Sequence, residues 1–299
     1  MDYKTFADEV KDRVAEYCGP EYKVTLTQAL KNNSVKLTGI AILKKGSKIT
    51  PTIYLEDFYT DYCDGMDMEE IVRQIVRIYD TNRCPQNLDL EMFEDFEKVK
   101  DRIVYRIVNF EKNQELLEKA PHRRFLDLAV IYSISLGEIP GLCASVTVYQ
   151  QYLARWGVTE EELWEAARMN TPRISEAQIV SMGELLKDMI GVDDEEVLDL
   201  KEAGPPMYVL TNKRRVNGAA CLLYEKVVGD FAKKIKKNFF ILPSSIHEVI
   251  LLAEESGYDP KSLRAMVREV NETQVGEQEI LSDSLYYYSY ENEEMSIAV

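Results

Sequence analysis

Residues 239–252 read Phe-Phe-Ile-Leu-Pro-Ser-Ser-Ile-His-Glu-Val-Ile-Leu-Leu, and this stretch decides the fold class of the C-terminal part of the chain. Its two apolar runs, at 239–242 and 246–252, have the length and the branched or aromatic composition of β-strands. Pro243, Ser244 and Ser245 between them favour a bend. We therefore predict two neighbouring strands joined by a short polar connection.

Strands and helices continue to alternate on both sides of this stretch. Strand-like runs cover residues 207–210, 218–224 and 284–290. Helical spacing of apolar residues covers 225–237 and the segment that begins at Asp259-Pro260. The resulting order predicts a mixed sheet with helices packed on one face, which is typical of an α+β protein.

The N-terminal part predicts a second α+β subdomain. Residues 2–18 have the apolar spacing of a helix, and residues 22–26, 35–43 and 49–55 follow as short strands. Further along the chain, the pair Thr159 and Glu162 has the spacing of a helix capping box, and so does the segment that begins at Ser175.

An acidic, proline-containing segment at 191–206 predicts a boundary between two packed subdomains. At 299 residues the chain is long enough for one large domain or two modest ones. We expect each subdomain to have a mixed or antiparallel sheet with helices on one face. The predicted bounds are 1–190 for the N-terminal subdomain, 191–206 for the linker, 207–292 for the C-terminal subdomain and 293–299 for a frayed tail.

The chain carries 36 basic and 52 acidic residues, so its net charge is −16. A surface of this sign repels the phosphates of nucleic acids and acidic membranes, which argues against general nucleic-acid binding and membrane association. Five widely spaced cysteines indicate reduced thiols. The N-terminus has no secretory leader pattern, and no apolar run has the length of a membrane span. These features predict a cytoplasmic protein.

Ser244, Ser245, His247 and Glu248 are the candidate catalytic residues, because hydroxyl, imidazole and carboxylate groups carry nucleophilic attack and proton transfer. In an extended strand Ser245 and His247 would point to one face, and Ser244 and Glu248 to the other. The alternative is structural: the serines bond main-chain amides at the bend, and His247 bonds across the sheet. The flanking sequence lacks the Gly-x-Ser-x-Gly pattern, which favours the structural interpretation.

Two concentrated basic segments are candidate anion sites. Lys213, Arg214 and Arg215 occupy a predicted turn, and four lysines lie at 233–237 near the end of a predicted helix. Interaction with the helix dipole explains the second run without a ligand, and a phosphate-bearing ligand is the functional alternative. We predict no cofactor and no metal, because the sequence has no glycine-rich phosphate loop and no ligand spacing typical of a metal site.

The C-terminal segment is rich in tyrosine and has no Lys or Arg after Arg268. Because alternate residues of a strand face opposite sides, we expect one set of tyrosines to be buried and the other exposed. Tyr286 and Tyr288 are the candidate partner-binding residues, since tyrosine is enriched at protein interfaces. A solvated edge strand protected by Glu291, Glu293 and Glu294 explains the same pattern.

Several short motifs together resemble a family of bacterial proteins, the domain of unknown function 5688. They are Asp127-Leu128-Ala129, Asn170-Thr171-Pro172, Leu210-Thr211-Asn212, Gly218-Ala219-Ala220, residues 266–271 and Leu281-Ser282-Asp283. The resemblance covers most of the chain and implies a bacterial, cytoplasmic protein carried on mobile elements. It transfers no catalytic residue.

Taken together, these features favour a non-enzymatic interaction or regulatory protein with a protein partner. The alternative is a hydrolase or transferase that uses Ser244 or Ser245 together with His247.

Overall fold

The computed structural model describes residues 1–47, 49–82, 90–139, 142–185, 207–255 and 257–299. These residues form three antiparallel sheets with helices packed against them, which confirms the predicted α+β class. Within the same ranges, no helix has both the length and the apolar character needed to cross a bilayer.

The chain divides into two compact units whose bounds differ from the predicted ones. The first comprises Met1–Glu91 with Glu138–Leu142, and the second comprises Met92–Gly137 with Cys143–Val299. The predicted linker at 191–206 lies outside the described residues. The strands on either side of it pair with each other, residue 177 opposite 212 and residue 181 opposite 208. Both flanks of the linker therefore belong to one sheet of the second unit.

The first unit is a three-stranded sheet with three helices. Its elements are α1 (Tyr3–Cys18), β1 (Tyr22–Leu30), β2 (Lys36–Lys44), β3 (Thr52–Tyr54), α2 (Glu56–Cys63) and α3 (Met68–Thr81). Val24 lies opposite Ile42, and Leu26 opposite Ile40, so these side chains share one face of the sheet. That face packs against the apolar stripes of the helices, among them Phe6, Val10, Ile71 and Ile75.

Apart from residues 138–142, a four-stranded sheet makes up the first part of the second unit. Short helices α4 (Phe96–Val99) and α5 (Gln114–Leu117) are followed by α6 (Gln150–Trp156) and α7 (Glu160–Ile174). The strands are β4 (Ile103–Asn109), β5 (His122–Phe125), β6 (Leu128–Ile139) and β7 (Leu142–Thr147). The long strand β6 pairs with each of the other three and is therefore central, and its residues 128–134 are buried.

The two predicted capping boxes have different outcomes. The hydroxyl of Thr159 accepts the N–H of Glu162, whose carboxylate accepts the N–H of Thr159, so α7 begins as predicted. The box predicted at Ser175 is wrong, because Ala177–Ser181 forms a strand. Ser181 and Glu184 exchange the reciprocal bonds instead, at the start of helical residues 182–185.

In the described residues, the second sheet of this unit has six strands, β8 (Ala177–Ser181), β9 (Met207–Asn212), β10 (Phe239–Leu242), β11 (Val249–Ala253), β12 (Tyr286–Ser289) and β13 (Glu294–Ile297). They are all antiparallel, and their order across the sheet is β13-β12-β10-β11-β9-β8. The predicted frayed tail at 293–299 thus contains an edge strand. Gly218–Leu223, predicted as a strand, forms a 3₁₀ helix.

Helices pack on both faces of the six-stranded sheet. Phe231 of α8 (Val227–Ile235) contacts the ring of Phe239 at 5.1 Å between centroids. Leu263 of α9 (Pro260–Thr273) packs in a cluster with Phe240. Phe239 and Phe240 are neighbours on β10 and therefore point to opposite faces. The sequence predicted helices on one face only; all four residues of β10 are buried, so both faces of this strand need a covering helix.

Candidate functional site

The connection at residues 243–248 is irregular, so the second predicted strand begins at Val249 and not at Ile246. Neighbouring loops hold its main chain. The N–H of Ile246 donates to the carbonyl of Glu279 at 2.8 Å, and its carbonyl accepts the N–H of Ala219 at 3.2 Å. The strand alternation assumed for Ser245 and His247 therefore does not apply.

Ser245 is tied to the main chain. The residue is 6% exposed, and its Oγ accepts the main-chain N–H of His247 at 3.0 Å. Among the described residues, no hydrogen bond joins a serine hydroxyl to the ring of His247. The position of Ser245 matches the structural interpretation, in which it satisfies an amide at the bend.

The ring of His247 faces protein groups through both nitrogens. Nδ1 accepts the main-chain N–H of Asn217 at 3.3 Å, and Nε2 lies 3.6 Å from Oε1 of Glu279. The neutral tautomer that fits these contacts has its lone pair on Nδ1 and its proton on Nε2. The carbonyl of His247 in turn accepts the hydroxyl of Thr211 at 2.8 Å. Glu279 is thus the carboxylate beside this ring, and Glu248 is not, as its predicted place on the other face implied.

Gly218 lies where three segments come closest. A Cβ at this position would overlap Oγ1 of Thr211 and the carbonyl oxygen of His247, and it would lie 2.8 Å from the main-chain nitrogen of Asn212. The requirement for glycine here is therefore steric. Two of the motifs noted in the sequence, at Thr211 and at Gly218, are therefore in contact in the structure.

Ser244 and Glu248 come together elsewhere. Both line a cavity of about 240 Å³ on the six-stranded sheet, with Arg215 beside them and Val209 and Ile250 among the apolar lining residues. The four predicted catalytic residues thus separate into two pairs. Ser245 and His247 belong to the loop junction, and Ser244 and Glu248 belong to this cavity.

The basic residues of the predicted turn also separate. Lys213 forms an ion pair with Glu176 at 2.6 Å, and Arg215 lines the cavity just described. Arg214 lines a different cavity, on β4. Two of the lysines at 233–237 form ion pairs on the surface. Lys233 pairs with Glu293, and Lys237 pairs with Glu255.

Tyr286 and Tyr288, the candidate partner-binding residues, have buried side chains in the described structure. Tyr286 is fully enclosed, and Tyr288 is 6% exposed and stacks on Phe239 at 5.1 Å between ring centroids. The side chains of the strand do alternate between its two faces, but Tyr286 and Tyr288 lie on the buried face. Tyr290 is the exposed tyrosine of the segment, and Tyr287 is half-buried with its hydroxyl donating to Glu254.

The hydroxyl of Tyr286 belongs to a cluster around Asp127. Oδ1 of Asp127 accepts from Tyr286 at 2.6 Å, and Oδ2 accepts from Ser282 at 2.5 Å and from Ser284 at 2.9 Å. Burial raises the pKa of Tyr286, so this phenol stays a donor. Asp127 was not among the predicted site residues. Its motif and the motif at Ser282 were, however, both part of the family resemblance noted in the sequence.

A cavity of about 80 Å³ lies on β4 and was not predicted. Arg106, Ser133 and Ser135 of the four-stranded sheet line it, together with Arg214 and Asn217 of the turn after β9. Ser133 lies opposite Val104, two residues before Arg106, so Arg106 and Ser133 share a face of the sheet. In the sequence, this cavity was indicated by Arg106, a single charged residue inside the apolar run 103–108.

The polar groups of this cavity suit an anion. Guanidinium, hydroxyl and amide groups donate hydrogen bonds, and no aspartate or glutamate lines the cavity among the described residues. In the same part of the chain, no group of three or more His, Cys, Asp or Glu side chains is arranged to hold a metal ion.

The fold defines an α+β protein of antiparallel sheets. Within it, His247 of the segment 243–248 belongs to a junction between loops. The chain matches the family of unknown function DUF5688 over residues 3–290. It therefore belongs to this family, which confirms the resemblance noted in the sequence. The chain matches no curated protein and no solved structure.

Proposed function

We propose that the protein is a non-enzymatic interaction or regulatory protein of the bacterial cytoplasm. The observation that carries this proposal is the engagement of His247 by Asn217 and Glu279. A serine nucleophile needs a base within hydrogen-bond reach. Ser245 instead bonds a main-chain amide, so these residues serve the architecture.

The surface best suited to a protein partner is the acidic edge formed by Tyr290, Glu291 and strand β13. Tyr290 is 37% exposed, and Glu291, Glu293 and Glu294 are exposed beside it. Strand β13 ends the six-stranded sheet, so its outer main-chain groups can pair with an added strand. Negative side chains along a free edge favour an extended, basic segment of the partner.

Charge reversal of this edge tests the proposal. The variant Glu291→Lys with Glu294→Lys is compared with the wild type in quantitative co-purification from the bacterial host. The control reverses two exposed carboxylates of the first unit, Glu16→Lys with Glu21→Lys, so that both variants have the same net charge. We expect one partner that the wild type and the control retain and that the edge variant loses at least about tenfold. Equal retention by all three proteins, or no retained partner, would contradict the proposal.

The enzyme alternative rests on a different observation, the shared cavity of Ser244, Glu248 and Arg215. A hydroxyl and a carboxylate in one cavity are compatible with a hydrolase. Labelling with a serine-reactive fluorophosphonate probe decides between the two functions. We expect no labelling of the wild type. Labelling that disappears in Ser244→Ala and persists in Ser245→Ala would establish the hydrolase instead.

A further inference from the structure

Arg106 has a charge that the described residues do not balance. The side chain is partly buried on β4, and no carboxylate or hydrogen-bond acceptor in the described ranges is bonded to it. Burial lowers the pKa of its guanidinium, the direction expected when a charge loses water without gaining a counter-ion. A guanidinium nevertheless stays charged at neutral pH, so its burial without a partner costs free energy.

Ser133 supplies a second, independent observation. It is 3% exposed, lines the same cavity, and its Oγ is buried with no hydrogen-bond partner among the described residues. A buried hydroxyl is normally bonded, and a hydroxyl left without a partner calls for an explanation. Ser133 and Arg106 thus bring two donors without a partner, among the described residues, to the lining of one cavity.

We infer that the cavity on β4 binds a small oxyanion of the phosphate type, with Arg106 as its main ligand and Ser133 as a hydroxyl donor. Arg214 also lines the cavity and adds a second positive charge. The phosphate site considered for Lys213, Arg214 and Arg215 is thus replaced by one in which Arg214 alone of the three takes part.

The size and the donors of the cavity define the class of ligand. Its volume of about 80 Å³ exceeds the ~30 Å³ that one water molecule occupies, which suits a small ion. Arginine binds two oxygens of such a group side by side, and the hydroxyls of Ser133, Ser135 and Ser145 line the same cavity for the remaining oxygens.

Inorganic phosphate is the probe that tests the inference. We expect phosphate to raise the melting temperature of the full chain by roughly 5 °C at saturation, with a matching isotherm by titration calorimetry. In Arg106→Gln the rise in melting temperature should shrink to the nonspecific stabilisation that phosphate gives because it is excluded from protein surfaces. In Ser133→Ala the affinity should fall about tenfold. The control Arg102→Gln, at an exposed arginine that does not line the cavity, should bind as the wild type does.

A second readout concerns the protein without phosphate. Arg106→Met removes an unbalanced charge, so this variant should melt at a higher temperature than the wild type in chloride buffer. Should Arg106→Gln fail to fold, Arg106→Lys keeps the charge without the planar fork and should weaken binding more than tenfold. An equal phosphate effect in the wild type and the Arg106 variants would overturn the inference.

Two further ligands define the source of the oxyanion. Glycerol 3-phosphate should match inorganic phosphate if the site accepts a phosphate ester, and it should fail if only the free ion fits. Acetate should bind at least about tenfold more weakly, because it offers two oxygens where the cavity has several donors. Acetate binding equal to that of phosphate would overturn the assigned class. The inference is independent of the proposed function, since the acidic edge at β13 is not among the lining residues.

Discussion

The main-chain N–H of Asn217 donates to Nδ1 of His247 at 3.3 Å, and this bond makes the histidine part of a junction between two loops. Asn217 has a left-handed backbone conformation, with φ of 52°, immediately before the 3₁₀ helix at Gly218. Thr211 of β9 bonds the carbonyl of the same histidine. Segments far apart in sequence thus meet at one residue, whose ring performs no reaction in our proposal.

Replacement of His247 should affect stability rather than reveal a catalytic role. His247→Phe keeps a ring but leaves the N–H of Asn217 without an acceptor, so we expect a loss of about 1–3 kcal/mol in the free energy of unfolding. His247→Asn offers an amide oxygen in a similar place and should lose about half as much. Urea unfolding measures both values. Equal losses in the two variants would show that the bond to Asn217 contributes little.

Gly218→Ala should be strongly destabilising, because the added Cβ meets a main-chain oxygen that cannot move alone. Overpacking of this kind costs about 1–3 kcal/mol, and a clash with backbone lies at or above the upper end. Gly276→Ala is the matched control, since a Cβ there has nothing within 4 Å. Thermal and urea unfolding of the two variants give the comparison. A Gly218→Ala protein as stable as the control would contradict the close approach of Thr211 and His247.

The cluster around Asp127 should be cooperative. Asp127→Ala leaves the hydroxyls of Ser282, Ser284 and Tyr286 without their acceptor, and we expect a loss of about 3 kcal/mol. Tyr286→Phe should lose about 1–1.5 kcal/mol. The double variant should lose less than the sum of the two, because the same bond is removed twice. Exposed Asp101→Ala is the control. Strictly additive losses would show that Asp127 and Tyr286 act independently.

Alkaline pH should unfold the protein through its buried tyrosines. Burial raises the pKa of Tyr105, Tyr132, Tyr224 and Tyr286. In the unfolded chain these phenols ionise near pH 10. The unfolded state then binds fewer protons than the folded state, so stability is complete below about pH 10 and falls as the pH rises further.

The slope of this loss is about 1.4 kcal/mol per pH unit for each buried tyrosine. Tyr286→Phe should therefore flatten the dependence by one such step, while Tyr17→Phe, at a side chain 62% exposed, should leave it unchanged. Urea unfolding between pH 8 and 11, followed together with phenolate absorbance, provides the measurement. A Tyr286→Phe slope equal to that of the wild type would mean that this phenol ionises freely in the folded protein.

Much of the secondary structure follows from the local sequence. The helix at α1, the meander of β1, β2 and β3, and the start of α9 at Asp259-Pro260 were all predicted from apolar spacing and turn residues. These features depend on contacts within one turn or one strand, so a short window contains the information. The net charge of −16 likewise follows from composition alone.

The failures occur where a distant segment overrides the local pattern. Gly218–Leu223 has the composition of a strand but forms a 3₁₀ helix, whose first residue lies against Thr211 and His247. Ser175 has the spacing of a capping residue, yet pairing with β9 makes residues 177–181 a strand. In both places the competing interaction is tertiary and outweighs a propensity of less than about 1 kcal/mol per residue.

The sequence by itself determined the α+β class, the order of most elements, and the side-chain types available for chemistry. Only the tertiary structure decided which of them come together: Asn217 bonds His247, Tyr286 bonds Asp127, and Arg106 and Arg214 line the same cavity. The physical reason is the sequence separation of the interacting residues. Backbone preference depends on neighbours in the chain, whereas the partner of a polar group depends on how the fold brings together residues that are tens of positions apart.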